Sequence, residues 1–453
     1  MKAGGQSAAE RRVGRRALLR AGAGLGIGLV AGPLELLGRV GAAWADKAGA
    51  SPLWSPANGG YGPLSAAGPV LDLPEGFRYV RFGDEGSPMA GGRPTPPAHD
   101  GMAAFPGGSG TVRLVRNHEV TETGTAFATP AYDPAATGGT TTLVFDTRAG
   151  RLLSSFPSLA GTHRNCAGGR TPWGSWLSCE EGTVGPQSRF ERLHGYVFEV
   201  PAQANGPVSP VPLRAMGRFV HEAVAVDPDS GIVYLTEDRL TGGFYRFVPR
   251  APGRLQAGGR LQMLAVDRHP HYDTRTGQAP GVTLGAAWVD IADPDPPDAG
   301  ANPLAVFQQG LGLGGAIFGR LEGCCFDRGR VLLNATAGGD AGCGQVWEYR
   351  PQPDGRGLLR LVFESPAPQF LRQPDNVTVS PRGGVLVCED HEGYDRLIGL
   401  DPEGRPFEFA RNRLSPGEFA GVTFGPAGNW LFVNIQRPGM TLAITGPWQR
   451  GCL

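Results

Sequence analysis

The sequence has few stretches of ten residues without glycine or proline, and this scarcity excludes a helical bundle. Of its 453 residues, 72 are Gly and 41 are Pro, which is about a quarter of the chain. That share approaches the level of disordered sequences. However, 40% of the residues are apolar and eight are Trp, enough for a large core. We therefore interpret the glycines and prolines as turn residues of an all-β protein.

The sequence also lacks an excess of charge of either sign, with 42 basic and 42 acidic residues. Without residues 1–45, the remaining chain carries 35 basic and 40 acidic residues, a net charge of −5. A nucleic-acid-binding protein would present a basic surface. Nucleic acid is therefore not an expected partner.

No apolar run reaches the roughly 20 residues that a membrane-spanning helix needs. Residues 1–45 have the features of an export signal instead. Arg15-Arg16 precedes a weakly apolar stretch from Ala21 to Pro33, and Ala43-Trp44-Ala45 has a small-x-small cleavage pattern. A twin-arginine start resembles a Tat signal, which the Tat export machinery recognises. We expect a periplasmic or secreted protein without a membrane span after signal removal, with a membrane anchor as the alternative.

Sequence motifs of several common sites are missing. No CxxC pattern indicates a zinc site, and the seven cysteines allow at most three disulfides, so at least one is free, ligating or paired between chains. No P-loop, GxSxG or HExxH is present either, which argues against nucleotide triphosphatase, serine hydrolase and zincin chemistry.

A repeat is present, however. Six segments share an apolar strand, a turn that ends in glycine and a second apolar strand with a polar end. The turn glycines are Gly110, Gly174, Gly231, Gly329, Gly383 and Gly428. Six such hairpins predict a six-bladed β-propeller over residues 46–453, with residues 46–75 as an outer leader and the largest insertion around 250–310. Two packed β-sandwiches are the alternative.

The first strands of the hairpins carry polar residues at equivalent places, where a packed strand would prefer Val or Ile. In a propeller these places form a ring in the central channel. The ring consists of Asp100, Cys166, Glu222, Glu322, Asn376 (beside Asp375) and, in the sixth hairpin, Ala420. Small residues such as Gly101 and Gly323 follow several of them. We expect these small residues to let the backbone approach a bound ion closely.

The second strands end in further polar groups. These are Glu119, which follows Asn117-His118, and the pairs Glu180-Glu181, Glu237-Asp238 and Glu389-Asp390. Clustered acids without counter-ions would repel one another and become protonated. The pattern therefore predicts bound cations, Ca²⁺ or Mg²⁺ for oxygen ligands and iron or zinc where a thiolate takes part. For any single strand end a solvated turn is the alternative, and for Cys166 alone it is a small buried side chain.

Two arginines accompany these acids. Arg320 precedes Glu322 by two residues, so both side chains lie on one face of an extended strand. A guanidinium beside such carboxylates suits the non-bridging oxygens of a phosphate. Arg239 directly follows Glu237-Asp238 and is a second candidate for substrate binding, with a plain ion pair as the alternative.

Taken together, these residues resemble the PhoX-type alkaline phosphatases, a family that is exported by the Tat route. The resemblance runs from about Leu73 to Trp448. The segments that carry it are NHE (117–119), NCAGGRTPWGSWLSCEE (165–181), GRFVHEAVAVDP (217–228), YLTEDR (234–239), RLEGCCFD (320–327), NATAGGDAGCGQVWEY (334–349), PDNVTVSP (374–381) and EFAGVTFGPAGNWLFVNIQRPG (418–439).

The resemblance implies a six-bladed propeller with ferric and calcium ions in its channel, and hydrolysis of phosphate monoesters. It implies Cys166 as an iron ligand, Glu222 as a carboxylate ligand, Arg320 as a phosphate contact, and Glu322 and Asn376 as calcium ligands. The metal roles of Asp100, Glu119, Glu181 and Asp238 follow from their places in the repeat. Larger members have Arg-Pro-Glu-Trp where this chain has Arg320-Leu321-Glu322-Gly323, and Gln-His-Pro-Gly where it has Gln436-Arg437-Pro438-Gly439, so this chain resembles a shorter branch.

The sequence therefore predicts a metal-dependent phosphomonoesterase that acts on small phosphate esters. Arg320, Glu322 and Glu222 are its expected catalytic residues. A hydrolase of phosphodiesters or lactones on the same scaffold is the first alternative. A non-catalytic calcium-binding propeller is the second.

Overall fold

The structure is a computed structural model that describes residues 54–391 and 393–453, which lie within one compact unit. The predicted export signal, residues 1–45, and the domain boundary at residue 46 lie outside the described residues. Three short strands precede the first hairpin. They are β1 (Leu64–Ala66), β2 (Leu71–Pro74) and β3 (Arg78–Phe82).

The following strands form six antiparallel groups, called blades 1 to 6 here, and each contains one of the six hairpins. Blade 1 consists of β4 (His99–Pro106), β5 (Thr111–His118), β6 (Gly138–Asp146) and β7 (Arg151–Thr162); blade 2 of β8 (Asn165–Arg170), β9 (Ser175–Glu180) and β10 (Val197–Pro201); blade 3 of β11 (His221–Val226), β12 (Val233–Glu237), β13 (Phe244–Pro249) and β14 (Gly259–Val266).

After blade 3 come β15 (Thr283–Asp290) and the helix α1 (Ala305–Gly312). Blade 4 consists of β16 (Leu321–Asp327), β17 (Arg330–Ala335), β18 (Gln345–Pro351) and β19 (Gly357–Glu364); blade 5 of β20 (Pro374–Val379), β21 (Val385–Glu389), β22 (Arg396–Leu400) and β23 (Pro406–Asn412); blade 6 of β24 (Phe419–Phe424), β25 (Leu431–Ile435) and β26 (Met440–Thr445). All six predicted turn glycines have a positive φ, between 69° and 97°.

The first strands of the blades contact one another in a cycle: β4, β8, β11, β16, β20, β24 and again β4. This cycle closes the fold around one axis. The N-terminal strand β3 pairs with β26 and completes blade 6, with Phe82 opposite Thr441. The all-β propeller-type fold predicted from the hairpins is thus confirmed, and the first strands of all six hairpins take part in the cycle.

Other segments extend the outer edges of the blades. The leader strand β2 pairs with β23 of blade 5, and β1 pairs with β2, in agreement with an outer leader. The large insertion contributes β15, which pairs with β14 on one side and β19 on the other. Blades 3 and 4 therefore share one nine-stranded sheet.

Apolar faces of neighbouring blades pack together to form the core. Between blades 5 and 6, Leu386 and Phe407 share a buried cluster with Leu431 and Val433. Each such buried side chain contributes roughly 1.5–3 kcal/mol. The helix α1 has eight residues, and no helix in the described part of the chain is long and apolar enough to cross a membrane. All seven cysteines are described, and no disulfide joins any of them.

Candidate metal centre in the central channel

A β-bulge interrupts each of the six first strands at an equivalent place. The register shifts lie between His99 and Met102, Asn165 and Gly168, His221 and Val224, Leu321 and Cys324, Pro374 and Val377, and Ala420 and Thr423. A bulge bends its strand and redirects a side chain away from the regular ladder. The predicted ring residues occupy or adjoin these bulges, and the sequence alone showed no sign of them.

The small residues of the bulges allow the first strands to approach one another. A Cβ atom on Gly101 would lie 2.5 Å from the Cα atom of Ala167, and one on Gly323 would lie 2.7 Å from the Cα atom of Asn376. We expected these residues to let the backbone approach a bound ion closely, and that stays a prediction. At these two glycines the backbone that approaches closely is that of the next blade.

Polar residues near the ends of the second strands bind the bulges of the next blade. Asn117 donates its amide to the carbonyl oxygens of Cys166 and Ala167, at 3.0 and 2.7 Å. Asn334 donates to the carbonyl of Asp375 at 2.6 Å, and Asn434 donates to the carbonyl of Asp100 at 2.6 Å. A bulge leaves backbone groups outside the ladder, and these amides satisfy them. Because blade 6 thereby reaches blade 1, the Asn434 contact helps to close the cycle.

The ring brings its acids together in three overlapping groups. These groups are Asp100, Glu119 and Cys166; Cys166, Glu181 and Glu222; and Glu222, Glu322 and Asp375. Within each group, the possible ligand atoms lie within 4.8 Å of one another. The Cys166 thiol donates to Glu222 Oε1 at 3.1 Å. Cys166 and Glu222 are therefore shared between neighbouring groups, and the predicted convergence of Cys166, Glu222 and Glu322 is observed.

These groups are almost completely removed from water. Asp100, Cys166 and Glu222 are 0% exposed. Burial, followed by the charges of Asp100 and Glu222, raises the pKa of the Cys166 thiol well above its usual range. A thiolate and several carboxylates can remain ionised together here only if cations compensate their charge. The donor set of this channel therefore fits bound metal ions.

The channel also contains two arginines in equivalent positions. Arg320 binds both carboxylate oxygens of Asp238 at 2.9 and 3.0 Å and Glu322 Oε1 at 2.5 Å. Arg164 binds Glu119 Oε1 at 3.0 Å and Glu181 Oε2 at 3.2 Å. Each arginine precedes a ring residue by two positions and has a positive φ, 50° and 48°.

Arg164 is a channel residue that the sequence analysis missed. The signal was available, because Arg164-Asn165-Cys166 occupies the same place in blade 2 as Arg320-Leu321-Glu322 in blade 4. Gln436 was missed as well. Its amide nitrogen donates to Asp100 Oδ2 at 2.7 Å and to Glu119 Oε2 at 2.6 Å, so it holds one end of the first acid group.

Asn376 does not occupy the ring position itself. The strand register makes Asp375 the equivalent of Asp100 and Glu322, and Asp375 belongs to the third acid group. The Asn376 amide donates to Asp375 Oδ1 at 3.0 Å, and its oxygen accepts the N–H of Gly421 in blade 6. In blade 6 the same register makes Gly421 the ring position instead of the expected Ala420, and a glycine has no side chain to act as a ligand.

Arg239 lies beside Arg320. Its carbonyl oxygen accepts the backbone N–H of Arg320 at 2.7 Å, and the residue is partly exposed. Within the described residues its guanidinium has no hydrogen-bond or ion-pair partner. Arg239 therefore places a positive charge outside any ion pair of the described residues next to the Asp238–Arg320 pair.

The fold and the channel define a class: a β-propeller whose axis is lined by buried acids and a thiol that suit cations. The chain belongs to the alkaline phosphatase PhoX family, whose model matches residues 59–439. Membership identifies it as a metal-dependent phosphatase. Its place in a shorter branch and its export route stay predictions.

A solved PhoX structure supports the fold. Pseudomonas fluorescens PhoX in complex with vanadate, a transition state analogue, is similar with a TM-score of 0.65 and 18% identity, covering 86% of this chain and 98% of that chain. A Xanthomonas campestris gluconolactonase has a TM-score of 0.45 and 14% identity, and the match covers 84% of this chain and 99% of that chain. A periplasmic gluconolactonase of Pseudomonas aeruginosa has a TM-score of 0.40 and 17% identity, and the match covers 83% of this chain and 93% of that chain. No curated protein matches the sequence.

Proposed function

We propose that this protein hydrolyses phosphate monoesters in its central channel with the help of ferric and calcium ions. The observation that carries the proposal is the buried Cys166–Glu222 contact, which joins two acid groups into one continuous donor set. The family match and the similarity to a PhoX structure that binds vanadate, a transition state analogue, support it.

The donor atoms suggest which ion each group would hold. The two groups that share Cys166 combine a thiol with carboxylates, a set that suits a transition metal such as Fe(III). The group of Glu222, Glu322 and Asp375 offers only oxygen, as Ca²⁺ prefers. Asn376 would support this site by orienting Asp375. When bound, such ions would neutralise the phosphoryl oxygens and the charge that develops on the leaving oxygen.

The arginines supply binding and orientation. Asp238 holds Arg320 through both of its carboxylate oxygens, so the position of the guanidinium is set before substrate arrives. Arg320 would orient the phosphoryl group, and the free charge of Arg239 would attract it. Glu222 and Glu322 would act as ligands, and Asp100, Glu119 and Glu181 would complete the ligand set. Positioning and electrostatics of this kind account for most phosphoryl-transfer catalysis.

The proposal is tested by elemental analysis of the purified protein, together with rates on chromogenic monoesters. We expect iron and calcium, and we expect Cys166→Ala and Glu222→Gln to lose both bound iron and activity. Cys325→Ala is the matched control, because Cys325 lies outside the three acid groups. Activity in metal-free protein would refute the proposal. Turnover of only diesters or lactones would favour another esterase, and calcium without iron or turnover would favour a binding protein.

We also propose that the protein is exported by the Tat route to the periplasm or the medium. Arg15-Arg16 and the cleavage pattern at Ala43-Trp44-Ala45 support this. Cell fractionation of the full chain and of an Arg15→Lys/Arg16→Lys variant tests it. Retention of the variant in the cytoplasm is expected, and equal export of both chains would contradict the proposal.

A further inference from the structure

A cleft lined by three arginines lies in blade 5, outside the three acid groups of the channel. It has a volume of about 360 Å³ and is lined by Pro368, Gln369, Arg372, Tyr394, Arg396 and Arg411. This volume is within the range of small-molecule sites. Among the described residues, the lining contains three positive side chains and no acidic one, which is the chemistry of an anion site.

Two of the three arginines are already neutralised. Arg396 binds both oxygens of Glu389, at 2.6 and 2.8 Å, and also donates to the carbonyl oxygens of Gln369 and Pro368. Arg411 binds both oxygens of Glu408, at 2.7 and 2.9 Å. Arg396 and Arg411 therefore give the cleft a rigid wall without adding net charge.

Arg372 is different. Its backbone N–H donates to Glu389 at 2.8 Å, but within the described residues its guanidinium has no hydrogen-bond or ion-pair partner, and its Nε atom is buried. A buried donor without an acceptor is costly. An anion in the cleft would accept from this guanidinium and remove that cost.

The cleft lies at the same end of the propeller as the acids. Arg372 lies two residues before β20, and the carbonyl oxygen of Gln373 accepts the backbone N–H of Asp390, which directly follows β21. Asp375 of the third acid group follows Arg372 by three positions, so their Cα atoms are at most about 11 Å apart. Tyr394, which is 55% exposed, forms an apolar side of the cleft.

We propose that this cleft binds a second anionic group on the same ester whose phosphoryl group enters the channel. The preferred substrates would then be small phosphate esters with a further phosphate or carboxylate a few bonds away. Arg372 would bind the distal anion, and the Tyr394 ring would contact the carbon skeleton between the two groups. This inference rests on the proposed phosphatase function.

Kinetics of the holoenzyme test the proposal. KM and kcat are measured for p-nitrophenyl phosphate, which has no second anion, and for fructose 1,6-bisphosphate. We expect Arg372→Ala to raise KM for the bisphosphate roughly tenfold relative to KM for p-nitrophenyl phosphate, since one charge-assisted contact is lost. Arg372→Lys, which keeps the charge, should restore part of the difference. Arg328→Ala, an exposed arginine at the turn between β16 and β17, is the control and should change neither value.

An unchanged ratio of the two KM values in Arg372→Ala would overturn the proposal. A titration of the holoprotein with inorganic phosphate separates this outcome from failure of the proposed function. Two phosphates per wild-type chain and one per Arg372→Ala chain are expected. Suppose that the protein hydrolyses neither ester. One bound phosphate in both proteins would then reject the cleft as an anion site. Two phosphates in wild type and one in Arg372→Ala would retain it as an anion site.

Discussion

The acidic pairs at the ends of the second strands divide into two environments. Glu180 lies inside blade 2, where it accepts from the backbone N–H groups of His163, Gly195 and Tyr196 and from the His194 ring. Its neighbour Glu181 belongs to a channel group with Cys166 and Glu222. Adjacent residues of a strand point to opposite faces, so one carboxylate meets fixed donors and the next meets other acids.

The same division recurs in blades 3 and 5. Glu237 accepts from the N–H of Gly243 at 2.9 Å and the hydroxyl of Tyr245 at 2.7 Å, and Glu389 accepts from Arg396. Burial raises the pKa of Glu237 to about 7, although the two hydrogen bonds oppose this. The first acid of each pair therefore holds the loops of its own blade. Of the second acids, Glu181 belongs to a channel group and Asp238 holds Arg320.

The largest effect is expected when each acid of the Glu180-Glu181 pair is neutralised in turn, which tests whether the two acids have different roles. Glu180→Gln should lower the free energy of unfolding by about 3 kcal/mol, because it leaves the buried His194 ring without its carboxylate partner Glu180. Its metal content per folded chain should stay unchanged. Glu181→Gln should instead lose metal while it folds normally. Denaturant unfolding and elemental analysis of both variants measure this, and the same response from both would contradict the division.

Gly421 tests whether the channel depends on close contact between first strands. Its φ is +63°, and a Cβ atom there would lie 2.4 Å from the carbonyl oxygen of Asp100. Gly421→Ala should destabilise the protein by about 2 kcal/mol, from backbone strain and from the clash between blades 6 and 1. Gly174→Ala is the matched control, since φ is +86° but nothing lies within 4 Å. Equal unfolding free energies for the two variants would show that the clash is absent.

The pH dependence of the free energy of unfolding tests the contact between Glu180 and His194. His194 bonds Glu180 Oε1 at 2.6 Å and Asp133 Oδ2 at 3.2 Å. Burial opposes protonation, but these two carboxylates outweigh it, so the pKa of His194 is raised above its ordinary value. The stabilisation is complete below the unfolded pKa of about 6.5 and is lost as the pH rises through the folded pKa. The free energy of unfolding, measured from pH 6 upward, should show this loss in wild type and not in His194→Gln. A loss of equal size in both would exclude His194 as its source.

The smallest expected effect concerns the cation beside the channel acids. Arg239→Ala should raise KM for a phosphate monoester roughly fivefold with little change in kcat, because it removes attraction that is shared by substrate and transition state. Arg328→Ala removes an exposed arginine far from the channel acids and serves as the control. A fall in kcat without a change in KM would assign Arg239 to the transition state instead.

Much of the site could be predicted from the sequence because the repeat aligns equivalent positions. Asp100, Cys166, Glu222 and Glu322 converge as expected, and Glu119, Glu181 and Asp238 lie around them. Arg164 could have been found by the same alignment. The bulges could not, because nothing in a sequence such as Asp100-Gly101 distinguishes a bulge from a regular strand. That is also why Asn376 was placed on the ring instead of Asp375.

The sequence by itself determined the strand-and-turn repeat, the places of the acids within it and the family, because hairpin chemistry and patterning are local properties. The tertiary structure decided which acid of the Glu180-Glu181 pair faces the channel, which glycines let neighbouring blades come close, and which arginines remain without an ion pair among the described residues. Those outcomes depend on contacts between residues far apart in the chain, such as Asn434 with Asp100 and Gly421 with Asn376. Such contacts form only when the cycle of blades closes.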